Sequence, residues 1–300
     1  MELPSSSVSF SVRRCKPELV APAKPSPNEC KLLSVIDDQE TLRFHFPMIQ
    51  FYRCNPSMQG KDPAAVIREE LAQTLVYYYP LAGRLREGPN RKFMADCTGK
   101  GALYIEADTD VALKDFGDIL SPPFPCVDEL LYDAPNPNDI LNRPLLIIQV
   151  TRLRCCSFIF AINISHILTD ASGMIQLILA MAEICREATA PSIQPVWERH
   201  LLSARDPPQV SSFHREYDRE KKGASVPPPH CQTWSTAPFS LEEVRLLFTV
   251  NARPKLNPPL PQGYYGAITT ARKLSENPLG YAMKLVRDAK ESVTEEYVSM

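Results

Sequence analysis

The sequence predicts an α/β fold, and three observations carry that prediction. Two strand-like runs, at 145–150 and 157–164, lead into a loop holding a histidine and then into an amphipathic helix. A second amphipathic stretch opens at Asp62-Pro63 and closes before Pro80. The chain has 300 residues, 44% of them hydrophobic, enough for a sizeable buried core.

From the N-terminus, residues 42–52 (LRFHFPMIQFY) alternate and carry aromatics, as a strand does. Pro47 has no amide proton to give a ladder, so that strand belongs at a sheet edge or a bulge. Asp62 caps the next helix and Pro63 takes its first position, where an amide proton has no helical partner anyway. Ile67, Leu71 and Leu75 recur at i, i+4 and i+8, the stripe that a helix turns toward a core. Gly83 then permits the corner in YYYPLAGRL at 77–85, and residues 93–108 hold short strand material around Gly99 and Gly101.

Within the 157–164 run, Phe158, Phe160, Ile162 and Ile164 share one face and Ile159 takes the other. Apolar residues on both faces predict a central strand. The helix expected over 174–188 is striped by Met174, Ile178, Met181 and Cys185, and widened by Leu177 and Ile184. Residues 191–229 are rich in proline and lack periodicity, so they read as a long connection. Residues 241–250 fit a helix or a helix running into a strand. NPPLP at 257–261 must be extended, and GYYG at 263–266 is a turn or a close backbone approach. A helix over 279–296 starts at Asn277-Pro278, and no internal repeat occurs.

Charge excludes some functions. With 33 basic and 35 acidic residues and no long block of either sign, the chain lacks the footprint of a nucleic-acid binder or a polybasic membrane patch. No apolar run is long enough to span a bilayer, and the Ser- and Pro-rich stretch 1–27 has no signal-peptide core. A reducing, cytoplasmic location is the default expectation. The nine cysteines are odd in number, form no C-x-x-C pair and include the neighbours Cys155 and Cys156. They are therefore expected as free thiols, not as a disulfide framework. Five scattered histidines offer no zinc spacing, so no metal is expected.

The chemistry centres on His166 and Asp170, which form H-x-x-x-D, with Gly173 following. On a helix that spacing would put both side chains on one face, as in a salt bridge. A strand before them and a helix after them argue otherwise: Asp170 becomes the helix N-cap and His166 projects from the loop. A neutral imidazole, titrating near working pH, can take a proton from an alcohol. Ser165 and Ser172 are close by, yet neither sits in a G-x-S-x-G elbow, and Cys155 and Cys156 belong at the far end of the strand. Direct transfer with His166 as general base is thus simpler than a Ser/Cys-His-Asp hydrolase.

His166-Ile167-Leu168-Thr169-Asp170 resembles the H-x-x-x-D motif of the BAHD family of plant acyl-CoA-dependent acyltransferases. LSVID at 33–37, YYYPLAGRL at 77–85, APSIQPVWERHLLSARDPP at 190–208 and VNARPKLNPPLPQGYYG at 250–266 resemble that family in matching order, most closely its alcohol-benzoylating members. The resemblance implies a two-domain α/β fold like that of chloramphenicol acetyltransferase, with residues 1–200 as the N-terminal domain, 201–232 as the crossover and 233–300 as a partial second domain. It implies a monomer with no bound cofactor, acyl-CoA as co-substrate and a small alcohol as acceptor. His166 would deprotonate the acceptor, while Asp170 would point away from the substrates and pair with Arg253, with Gly173 in support.

The sequence also departs from the family pattern. It contains no D-F-G-W-G stretch, and residues between Trp234 and Phe248 are fewer than the family carries. Ala267 stands where an asparagine is usual, and the strand that should follow is expected to be missing. Together these departures imply an incomplete second domain and raise the alternative of a catalytically silent relative with a binding or regulatory role.

Overall fold

The structure, a computed structural model, describes residues 10–117, 127–134, 140–203 and 245–275, with the backbone alone over 245–250 and 269–275. The helix expected over 279–296 and most of the 201–232 crossover lie outside the described residues.

In chain order the elements are β1 (Val12–Arg14), β2 (Glu18–Val20), β3 (Cys30–Leu32), β4 (His45–Tyr52), α1 (Pro63–Tyr77), β5 (Arg84–Glu87), β6 (Phe93–Asp96) and β7 (Ala102–Thr109). There follow a single turn α2 (Val127–Leu130), then β8 (Leu146–Arg152), β9 (Phe158–Ser165), α3 (Ala171–Ile184), β10 (Arg245–Asn251) and β11 (Thr269–Ser275). The main sheet runs β1-β7-β8-β9-β4, with β2 also on β7. Its β7–β8 pair is parallel and its other pairs are antiparallel. A small sheet, β3-β6-β5, and the antiparallel pair β10–β11 complete the described strands.

The two helices form where the sequence places them. Asp62 caps α1 by accepting from the amides of Ala64 and Ala65, with Pro63 first in the helix. Asp170 caps α3 through the Gly173 amide, so the helix starts three residues before the apolar stripe that announces it and ends at Ile184. Both helices cover one face of the sheet. Ile67, Leu71 and Leu75 from α1 and Met174, Leu177 and Ile178 from α3 bury against Phe160, Ile162 and Ile164 of β9. Ile159 packs on the opposite face with Phe10, Leu130 and Leu153. β9 is accordingly interior, flanked by β8 and β4, and Pro47 lies on β4 at the edge of the described sheet. Among the described residues no helix is long and apolar enough to cross a membrane.

Of the two readings left open for 241–250, the one that ends in a strand fits: Arg245–Asn251 is extended and pairs with β11, while 241–244 lie outside the described residues. Two expectations need correction. A strand does follow Ala267: Thr269 and Thr270, β-branched and suited to a pleated ladder, open β11. The cysteines are not all free, because Cys54 and Cys156 are joined with their Cα atoms 5.0 Å apart. The cause is strand register. Tyr52 pairs with Phe158 at the end of the β4–β9 ladder. Two steps further along the same ladder bring Cys54 opposite Cys156, inside the range a disulfide spans.

Candidate active site

His166 follows the last residue of β9, and its amide donates to the Phe44 carbonyl at 2.9 Å. Its ring packs on Phe46 with centroids 4.7 Å apart and on Phe44 at 5.1 Å. The residue is buried, 8% exposed. Burial holds the imidazole pKa below its ordinary value, against weaker opposing pulls from its own backbone and the carboxylates of Asp170 and Asp37. The ring is therefore neutral at neutral pH. Nδ1 is fully buried with no hydrogen-bond partner, and Nε2 has none among the described residues.

The Asp170 carboxylate is saturated with donors. Its Oδ1 accepts from the Gly173 amide at 3.1 Å and from Arg253 Nη2 at 3.0 Å. Its Oδ2 accepts from Arg253 Nη1 at 2.5 Å and from the Ile268 amide at 3.1 Å. Arg253 Nη2 also donates to the Gly266 carbonyl at 2.8 Å. Charge-assisted and bidentate, this pair locks the start of α3 to the 263–268 segment. Gly173 is where that segment comes closest: a Cβ there would overlap the Tyr265 carbonyl oxygen and the Thr169 hydroxyl. Thr169 Oγ1 donates to the same carbonyl at 2.8 Å.

The structure adds a second ion pair to which sequence reading gave no role. Arg199 Nη1 donates to Asp37 Oδ1 at 2.9 Å, with side chains 1% and 0% exposed. Arg199 Nη2 donates to the Leu168 carbonyl at 2.7 Å, two residues beyond His166. Asp37 also accepts from the Ser34 amide and hydroxyl and from the Ala267 amide. The guanidinium lies 4.4 Å from the Trp197 ring centroid and is flanked by Tyr264 and Tyr265. Gly266 makes room for it, since a Cβ there would overlap the guanidinium. The signal was present in LSVID and VWERH, motifs whose acid and base could not be matched without the fold.

His166, Asp170, Gly173 and Arg253 therefore gather in one place, and Asp37 and Arg199 join them. What the arrangement can do is present a neutral imidazole from a loop whose backbone is fixed on both sides. Among the described residues, no group of three or more His, Cys, Asp or Glu could hold a metal ion.

Comparison with known proteins agrees with this architecture. The model of the Transferase family matches residues 10–233. The chain is 52% identical to benzyl alcohol O-benzoyltransferase of Nicotiana tabacum over 342 aligned positions, covering 98% of this chain and 74% of that one. It is 46% identical to 13-hydroxylupanine O-tigloyltransferase of Lupinus albus, covering 97% of this chain and 76% of that one. The crystal structure of vinorine synthase superposes with a TM-score of 0.61 at 20% identity, over 96% of this chain and 82% of that one, which shows a shared α/β fold of the chloramphenicol acetyltransferase kind. By its fold, its family-model match and its identity to these relatives, the chain belongs to the Transferase family, the BAHD acyltransferases.

Proposed function

We propose that this protein transfers an acyl group from acyl-CoA directly to the hydroxyl of a small alcohol, with His166 as general base. The observation that carries the reading is the buried, neutral imidazole whose Nε2 has no hydrogen-bond partner among the described residues and whose loop is anchored by Asp170–Arg253 and Asp37–Arg199. The imidazole takes the acceptor proton as the alcohol oxygen attacks the thioester carbonyl. The carbon–sulfur bond then breaks, and the imidazolium returns the proton to the departing thiolate. Asp170 orients the loop and takes no part in proton transfer, because its oxygens are filled by Arg253 and by two backbone amides.

A benzoyl or similar acyl group is the donor that the tobacco relative's name supports. A monomer in the cytoplasm goes with this reading, divided at 1–200, 201–232 and 233–300. There the exposed Cys54–Cys156 bond would meet a reducing pool. The test is ester formation from benzoyl-CoA and benzyl alcohol by the purified chain, with His166→Ala beside it. Ester that vanishes in the variant, whose melting is unchanged, supports the assignment; a variant of full rate ends it.

One observation favours a second reading, a catalytically silent relative with a binding role. The tobacco match runs over 342 positions against the 300 residues here, so segments inside the matched stretch have no counterpart. No ester from the unaltered chain, together with cooperative melting, would favour that reading.

A further inference from the structure

A cavity of about 620 Å³ opens at the end of the sheet opposite His166, between β9, α1, α3 and the segment after β4. Phe160, which lines it, is six residues before His166 on an extended strand, about 20 Å away. The cavity is of the size that small-molecule sites take. Its floor is apolar, formed by Phe158, Phe160, Ile178 and Met181. Tyr52 stacks flat on Phe158 at 4.8 Å, and the Cys54–Cys156 bond ties together the two strand ends that form one wall.

The rim has one sign of charge. Arg53, Lys61 and Arg186 line it, and no aspartate or glutamate does. None of the three cationic side chains has a hydrogen-bond or ion-pair partner among the described residues. Asp62, next in chain to Lys61, holds Arg152 and the start of α1; Glu183 bonds Ser192 and also feels the charge of Arg186 without a direct ion pair. An apolar basin under a cationic rim matches a ligand with an apolar body and one anionic head.

We propose that this cavity is a second binding site, separate from the His166 centre, for an amphiphilic monocarboxylate whose hydrocarbon part enters between α1 and α3 and whose carboxylate meets Arg53, Lys61 and Arg186.

The test uses sodium octanoate and its neutral isostere octanamide, titrated calorimetrically into the full chain without acyl-CoA or alcohol, so the outcome does not depend on the proposed reaction. Octanoate is expected to bind at least tenfold more tightly than octanamide, and added salt to narrow the difference. The exposed pair Lys61→Glu with Arg186→Glu should weaken octanoate by tenfold or more and leave octanamide unchanged. Ala182→Trp, which fills the basin, should remove both. Equal binding of the two probes, or indifference to the charge reversals in a protein that melts normally, would overturn the assignment.

Discussion

Asp37 and Asp170 take up consecutive backbone amides: the Ala267 N–H donates to Asp37 at 3.1 Å and the Ile268 N–H to Asp170 at 3.1 Å. Each aspartate also holds an arginine, Arg199 in one case and Arg253 in the other. Two adjacent peptide units therefore report to two carboxylates on either side of the histidine loop, and the protein should respond when any member is removed.

For Asp170 and Arg253 the response is non-additive. Replacing either by alanine strands a charge in a place where Asp170 is 3% exposed, at a cost of about 3 kcal/mol, while the double replacement costs little more. Denaturant unfolding of the four proteins of the cycle measures this. Summed losses would show that the two side chains act independently.

Removal of Asp37 is the harsher change. Arg199 is 1% exposed and would keep its charge with no acid beside it, so Asp37→Ala should cost about 3–5 kcal/mol. Because Arg199 also holds the Leu168 carbonyl, the milder Asp37→Asn should lower kcat more than it raises KM. Equal changes in both constants would deny Asp37 a positioning role.

Gly173→Ala tests the close approach. The new methyl meets a backbone carbonyl at Tyr265, which has no side chain to swing aside, so a loss of about 1–3 kcal/mol is expected. A melt indistinguishable from that of the parent would mean that α3 slides to accommodate it.

Two histidines should make the fold acid-sensitive. Burial, and secondarily Arg143, depresses His45 to about 3, against a hydrogen bond to the Pro144 carbonyl; burial also lowers His166. Both bind a proton more readily unfolded than folded, so stability is full above their ordinary value near 6.5 and falls as pH drops below it. Melting temperature should decline between about pH 6.5 and 5, above the carboxylate range. His45→Gln, which can still donate to Pro144, should flatten that decline. A parent curve level across this interval would refute it.

The disulfide closes a sequence separation of 102 residues, and Cys54→Ser should cost the oxidised protein about 2–4 kcal/mol. In excess reductant the parent and the variant should melt together. A persistent gap there would assign the loss to serine packing.

What was legible in the sequence was local. The Asp62-Pro63 start, the stripe of α1 and the capping role of Asp170 depend on residues within a turn or two of one another. His166 was legible for the same reason, as the residue between a strand and its helix. Arg253 came only through the family resemblance, since 83 positions separate it from Asp170 and no periodicity links them. The Asp37–Arg199 pair spans 162 positions, and its two motifs carried no mark of each other. Cys54 and Cys156 became partners only once the β4–β9 register was known. The β10 strand was only half legible, on a different ground: a ten-residue window of mixed polarity at 241–250 suits either period, so the sequence left two readings open.

The Asp37 to Ala267 hydrogen bond joins residues 230 positions apart. Such a contact forms only after the chain has been made as far as residue 267, so it belongs to the slow end of assembly. On the ribosome, a nascent chain ending near Leu202 already holds every strand of the main sheet and His166 itself. It has neither Arg253 nor the two amides that Asp37 and Asp170 await. The histidine loop is thus synthesised early and fixed late. Translation must pass residue 268 before its two carboxylates find their partners.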